Sequence, residues 1–168
     1  MTNDSPDTHS NALAHRLESV TARIAALVQQ PHHAEKMREG PGTDEWNVLQ
    51  TIGHLTEMIP HWLRQCRAMI DAAGPELPRI GRSFGDAERL AGPARGAVAN
   101  PVELLAHLQS ETRSACAAIR TLTAVQRQKQ GIDGQGNTVS VDDVVGNFIV
   151  AHAEGHLSQI EQTLGAAA

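Results

Sequence analysis

The stretch from Val139 to Leu164, VSVDDVVGNFIVAHAEGHLSQIEQTL, constrains this chain more than any other. Ser140 with Asp143 reads as a capping box, and Val139 with Val144 as the hydrophobic staple that accompanies one, so two signals start a helix at the same place. At about 100° per residue, Val141, Val144, Val145, Phe148, His152 and His156 project into one broad sector of that helix. A long helix with such a stripe must bury it against other elements. Its two histidines stand four residues apart, so both imidazoles leave the same side and can reach one metal ion.

Three further segments supply the surfaces this helix needs. Residues 1–10 are polar and are expected to form a disordered tail, followed by a single domain over residues 11–168. A first helix is predicted from about Asn11 to Gln30, with Leu13, Leu17, Val20, Ile24 and Leu27 in one stripe and Pro31 closing it. The polar HHAEKMREGPG that follows predicts a surface connection, His32 and His33 included. A second helix is predicted from near Thr43, as N-cap, with Asp44 and Glu45 in its first turn, to Gly74. Val48, Ile52, Leu55, Ile59, Trp62, Cys66 and Met69 mark its buried face, and Pro60 predicts a kink. His54 and His61, seven residues apart, fall in one column at the edge of that face.

Residues 74–100 are rich in Gly, Pro and Arg and too long for a tight turn. They predict a crossover with a short helical turn. Its Arg79, Arg82 and Arg89 either meet an anionic ligand or are simply solvated. A third helix starts at Asn100 as N-cap, with Pro101 at N1 and Glu103 at N3, and buries Leu104, Leu105, Leu108, Thr112, Ala115, Ile119 and Leu122. His107 lies off that face beside Glu103 and Glu111, which predicts an exposed imidazole. GIDGQGNT then reads as a Gly-rich turn. The predicted fold is all-α, a four-helix bundle with a long crossover between helices 2 and 3.

Composition narrows the function. Aromatic residues make up only 2% of the chain, which argues against a sandwich or barrel. A net charge of -5 argues against nucleic acid as partner. No apolar run reaches the length of a membrane span, and MTNDSPDTHSN is not a signal peptide. Cys66 and Cys116 form no motif and are expected as reduced thiols of a cytoplasmic protein.

Two buried imidazoles on one stripe need partners, because a bare buried nitrogen costs roughly 1–3 kcal/mol. A metal ion satisfies both; a core pair satisfied by hydrogen bonds is the other reading, and spacing leaves both open. Several metal chemistries are excluded. HAEGH is not HExxH: Glu154 follows His152 by two residues and projects from the far side of the helix. The chain has no Glu-x-x-His and no CxxC. A His-rich mononuclear site remains, and three ligands with open positions would be the arrangement of a catalytic metal.

Trp46 followed by VLQTIGHLTE, the crossover with IGRSFGDAERL, and TVSVDDVVGNFIVAHAEGHLSQIEQ together resemble the DinB-like superfamily of four-helix-bundle metalloproteins. The resemblance runs from about residue 44 to 164 and implies a divalent metal (Zn, Ni or Fe) held by His54, His152 and His156. It thereby selects His54 over His61. It also implies a metal-dependent transferase acting with a small thiol cosubstrate, in a homodimer; charge and hydropathy, as above, predict no nucleic-acid or membrane partner. A non-catalytic metal-binding or stress-response module with a structural metal is the alternative within the same resemblance.

Overall fold

A computed structural model describes residues 8–42 and 45–165. The predicted stripes are the surfaces that meet in it. Helix α1 spans Thr8–Val28, α2 Val48–Asp71, α3 Ala87–Val98 and α4 Pro101–Arg120. A single turn, α5, follows at Ala124–Arg127, then a hairpin of β1 (Gln130–Ile132) and β2 (Thr138–Ser140), then a last helix, α6, over residues 141–164. α1 packs on α4 and α6, and α2 packs on the same two, so α1 and α2 lie diagonally across the bundle. Leu17, Ile24, Leu49, Ile52, Leu55, Leu108, Ile119, Ile149 and Ile160 fill the space between them, all fully buried.

Helix starts follow their caps. α1 begins at Thr8, inside the stretch expected to be tail, and buries Ser10; residues 1–7 lie outside the described ones. Thr43 and Asp44, expected to open the second helix, also lie outside the described residues. That helix starts later, at Val48, because Asn47 and Gln50 form a complete capping box: Asn47 Oδ1 accepts from the Gln50 amide at 2.9 Å and Gln50 Oε1 from the Asn47 amide at 3.0 Å. Trp46 is thereby left just ahead of the helix. α2 runs as one helix through Pro60. Asn100 caps α4 as predicted, accepting from Val102 at 2.9 Å.

The crossover differs most from expectation. Residues 78–80 pair with β1, the Ile80 amide donating to Ile132 at 2.8 Å and the Ile132 amide to Pro78 at 2.9 Å. The segment read as a Gly-rich turn is thus a hairpin that pins the start of the crossover. The expected short turn is the twelve-residue α3, capped by Asp86 and packed on α2. Gly92, Pro93 and Gly96 make its sequence look unhelical. The glycines have a packing reason: a Cβ on Gly96 would lie 2.1 Å from the Leu49 carbonyl oxygen, and one on Gly53 would lie 2.3 Å from that of Gly92. The two backbones touch, and only glycine permits it.

The capping box at Ser140 starts α6 as predicted, with the Asp143 amide donating to Ser140 Oγ at 3.0 Å. Residues Val144–Ala151 then form a π-helix before α-helix resumes at His152–Leu164. A π segment puts more residues in each turn than an α-helix, so it advances the stripe more slowly than 100° per residue. The buried residues are therefore Val141, Val144, Val145, Ile149, Val150, Ala153, Ile160 and Leu164, and Phe148 is only half-buried. His152 and His156 do not continue the core stripe, as uniform α geometry predicts. They stand at its edge, against a cavity.

Candidate metal centre

The capped start of α2 and the π segment of α6 carry three imidazoles to one place. His152 Nε2 lies 3.3 Å from His54 Nε2 and 2.9 Å from His156 Nε2. His54 is buried, His156 half-buried and His152 the most exposed. Trp46 stacks its indole 4.9 Å from the His54 ring and 6.2 Å from that of His156, closing one side. Gln159, one turn beyond His156, places its amide oxygen 3.0 Å from His156 Nδ1. That oxygen only accepts, so Nδ1 carries the proton and the Nε2 lone pair faces the other histidines.

Electrostatics favour the neutral rings a metal requires. Burial, then the His156 and His152 imidazoles, push His54 down to about 3. Burial and His156 also lower His152, and burial lowers His156 against the opposing Gln159 bond. Three Nε2 atoms this close cannot all be satisfied by hydrogen bonds to one another, since His152 has at most one proton there to give. A cation between them satisfies all three lone pairs. Nitrogen ligands about 2.0–2.1 Å from an ion at tetrahedral angles lie about 3.3–3.4 Å apart, which the His54–His152 separation of 3.3 Å matches and the His152–His156 separation of 2.9 Å falls short of. The donor set therefore fits a divalent metal. His54 Nδ1 is buried without a hydrogen-bond partner, so packing orients that ring.

The helix wheel left His54 and His61 open; the structure separates them. His61 is buried farther along α2, with its ring 5.1 Å from that of Trp62 and its Nε2 unpartnered. Glu57 and Glu88 lie close to it. Arg82 binds both oxygens of Glu57, with Nη2 to Oε2 at 2.6 Å, and Arg64 reaches Glu88 at 3.3 Å. This second cluster is already neutralised by arginines.

Other expected residues fall as follows. Glu154 points away from the site and takes a double hydrogen bond from Arg16, at 2.8 and 2.7 Å. His107 is exposed, 3.4 Å from Glu111. His32 is exposed, but His33 is buried and lies 2.8 Å from the Leu27 carbonyl, where the open end of α1 needs a donor. Of the crossover arginines, Arg79 lies at the hairpin, Arg82 serves Glu57, and Arg89 reaches the histidines' cavity. Cys66 and Cys116 are buried free thiols, pushed by burial up to about 12 and about 11.

The cavity holds about 330 Å³ and is walled by Trp46, Met58, Trp62, Phe84, Arg89 and the three histidines. Trp46, Gln159 and Phe84 were not singled out as site residues on sequence. Gln159 had one available signal, its spacing of one turn from His156.

Fold and site together define a helical-bundle protein with a three-histidine candidate centre for a divalent metal. The sequence profile of the DinB superfamily matches residues 10–160, and the chain belongs to that superfamily. Among solved structures it is similar to YfiT from Bacillus subtilis, described as a probable metal-dependent hydrolase with an unusual four-helix bundle topology. The likeness has a TM-score of 0.75 at 18% identity, over 99% of this chain and 94% of that one. No curated protein matches it in sequence. No helix among the described residues is long and apolar enough to cross a membrane.

Proposed function

We propose that His54, His152 and His156 bind a divalent metal as the centre of an enzyme that transfers a group to or from a low-molecular-weight thiol. One observation carries this reading: three neutral imidazole lone pairs converge on a cavity, with the exposed His152 side open. A divalent ion held there would lower the pKa of a coordinated thiol or water into the neutral range. The chain's own contribution is positional. Gln159 fixes the tautomer of His156, Trp46 excludes water from one side of the site, and burial keeps His54 unprotonated. Glu57 and Glu154 are each held by an arginine and offer no free general base. This favours a nucleophile that needs no base once its pKa is lowered, a condition that a metal-bound thiol and a metal-bound water both meet.

Hydrolysis is the second reading, favoured by the similarity to YfiT, a probable metal-dependent hydrolase. The experiment is metal analysis of untagged protein, followed by activity assays of the metal-loaded form with a panel of small thiols and electrophiles, and with esters and amides lacking thiol. Thiol-dependent turnover above that of free metal supports the transferase. Turnover without thiol supports the hydrolase. Stoichiometric metal with neither activity means a structural or binding role. The expectations of a homodimer and a cytoplasmic location belong to the same proposal; sedimentation and fractionation test them.

A further inference from the structure

The cavity beside the histidines has an unbalanced charge. Two arginines line it, and no carboxylate does. Arg82 is spoken for by Glu57. Arg89 is not: among the described residues no carboxylate pairs with its guanidinium. It donates one hydrogen bond, from Nη1 to the Phe84 carbonyl at 2.8 Å, and its other side-chain donors make none. Its plane is held by two rings, 5.0 Å from the Phe84 centroid and 5.9 Å from that of Trp46. A half-buried cation with free donors in a planar fork suits a carboxylate.

The second observation is Phe84. It is 86% exposed, in the loop between the pinned residues 78–80 and α3, yet it lines the same cavity as the half-buried Trp62. A large aromatic ring left in water at the mouth of a cavity gains burial only when something apolar enters.

We infer that Arg89 is the anion anchor of this cavity, binding the carboxylate of a small substrate whose apolar body is covered by Phe84 and Trp62 while its reacting end faces the three histidines. The inference rests on reading the cavity as an active site, and it makes Arg89 a specificity-determining residue. The volume suits one small molecule, not a polymer. The carboxylate can belong to the thiol or to its electrophilic partner.

The chain has two tryptophans, Trp46 and Trp62, and both line the cavity, so intrinsic fluorescence reports occupancy without any turnover. The full chain, metal-free and zinc-loaded, is titrated with 3-phenylpropionate and with its neutral amide. A second pair, 3-mercaptopropionate and 2-mercaptoethanol, is titrated into the zinc-loaded form. The expected result is that the acid of at least one pair binds about tenfold or more tightly than its neutral mate. For the phenyl pair this preference is present without metal. Arg89→Gln is expected to abolish the preference and Arg89→Lys to restore part of it, with melting temperatures showing that both variants fold. Preference in the phenyl pair alone assigns the carboxylate to the electrophile, and preference in the thiol pair alone assigns it to the thiol. Equal binding within both pairs overturns the inference, as does a preference that survives Arg89→Gln. Protein that binds no metal would sink the proposed function; both pairs are then titrated into the metal-free form, where a preference lost in Arg89→Gln still supports the role of Arg89 and equal binding within both pairs overturns it.

Discussion

α2 carries two clusters that look alike in composition and differ in what they can do. Around His54, three imidazoles point lone pairs at one another. Around His61, two carboxylates lie beside an imidazole and already have arginines as partners. The first cluster has more acceptors than donors, and an external cation satisfies it. The second is balanced internally. Donor type and proximity therefore do not define a metal site; several lone pairs converging without a donor do.

The largest expected effect tests that contrast directly. His54→Ala is expected to abolish stoichiometric metal binding, since loss of a ligand should exceed the roughly 10–100-fold cost of losing an outer partner. His61→Ala is expected to leave it intact. Metal content after equilibrium dialysis reads both, and normal binding by the His54 variant would end the assignment.

Next comes the internal balance of the second cluster. The Arg82 and Glu57 side chains are 8% and 6% exposed, so Arg82→Met leaves a buried carboxylate without its partner. The expected loss of stability is about 3–5 kcal/mol, and adding Glu57→Gln should recover much of it. Urea denaturation measures both; a loss under about 1 kcal/mol for the single variant would show the pair to be incidental.

The outer shell gives a smaller effect. Gln159→Leu removes the acceptor that fixes the His156 tautomer, and metal affinity is expected to fall about 10–100-fold with the fold unchanged. Competition with a chromogenic chelator would show it, and unchanged affinity would mean that packing alone orients the ring.

Protons probe both clusters in metal-free protein. His54 is depressed to about 3 from an ordinary 6.5, and His61 is depressed mainly by burial. Between those values the unfolded chain binds protons that folded His54 refuses. Stability is therefore full above about pH 6.5 and falls as pH drops toward 3, by at most about 1.4 kcal/mol per pH unit for each such group. Denaturation midpoints from pH 7.5 to 4 give the slope, and His54→Gln should flatten it.

Much of this contrast was legible before any coordinates. Four stripes and the Ser140–Asp143 box specify a helical bundle, because local periodicity and capping are written within a few residues. The column holding His54 and His61 was legible too; the choice between them came from the family resemblance and not from the helix wheel. Its physical basis is Arg82 returning from the crossover to Glu57, a contact 25 residues apart that no local pattern encodes. α3 was hidden for the same reason: Gly92 and Gly96 weaken a helix locally and serve it only against the backbone of α2. The π segment hid the third feature. Uniform 100° steps sent His152 and His156 into the core, whereas the slower advance over Val144–Ala151 turns them to the cavity.

The smallest expected effect concerns Glu154, which lies between the two histidines in sequence and outside the site in space. Its carboxylate takes two bonds from Arg16, and both side chains are well exposed, 38% and 47%. An exposed pair contributes about 0–1 kcal/mol even in good geometry. Glu154→Gln is therefore expected to cost less than about 1 kcal/mol, to leave metal affinity unchanged, and to leave the pH profile of any turnover where it was. The last of these separates the two readings of HAEGH. A carboxylate acting as general base would remove the acidic limb of that profile and lower the rate by about 100-fold or more. A carboxylate pinned by Arg16 on the opposite side of α6 changes neither.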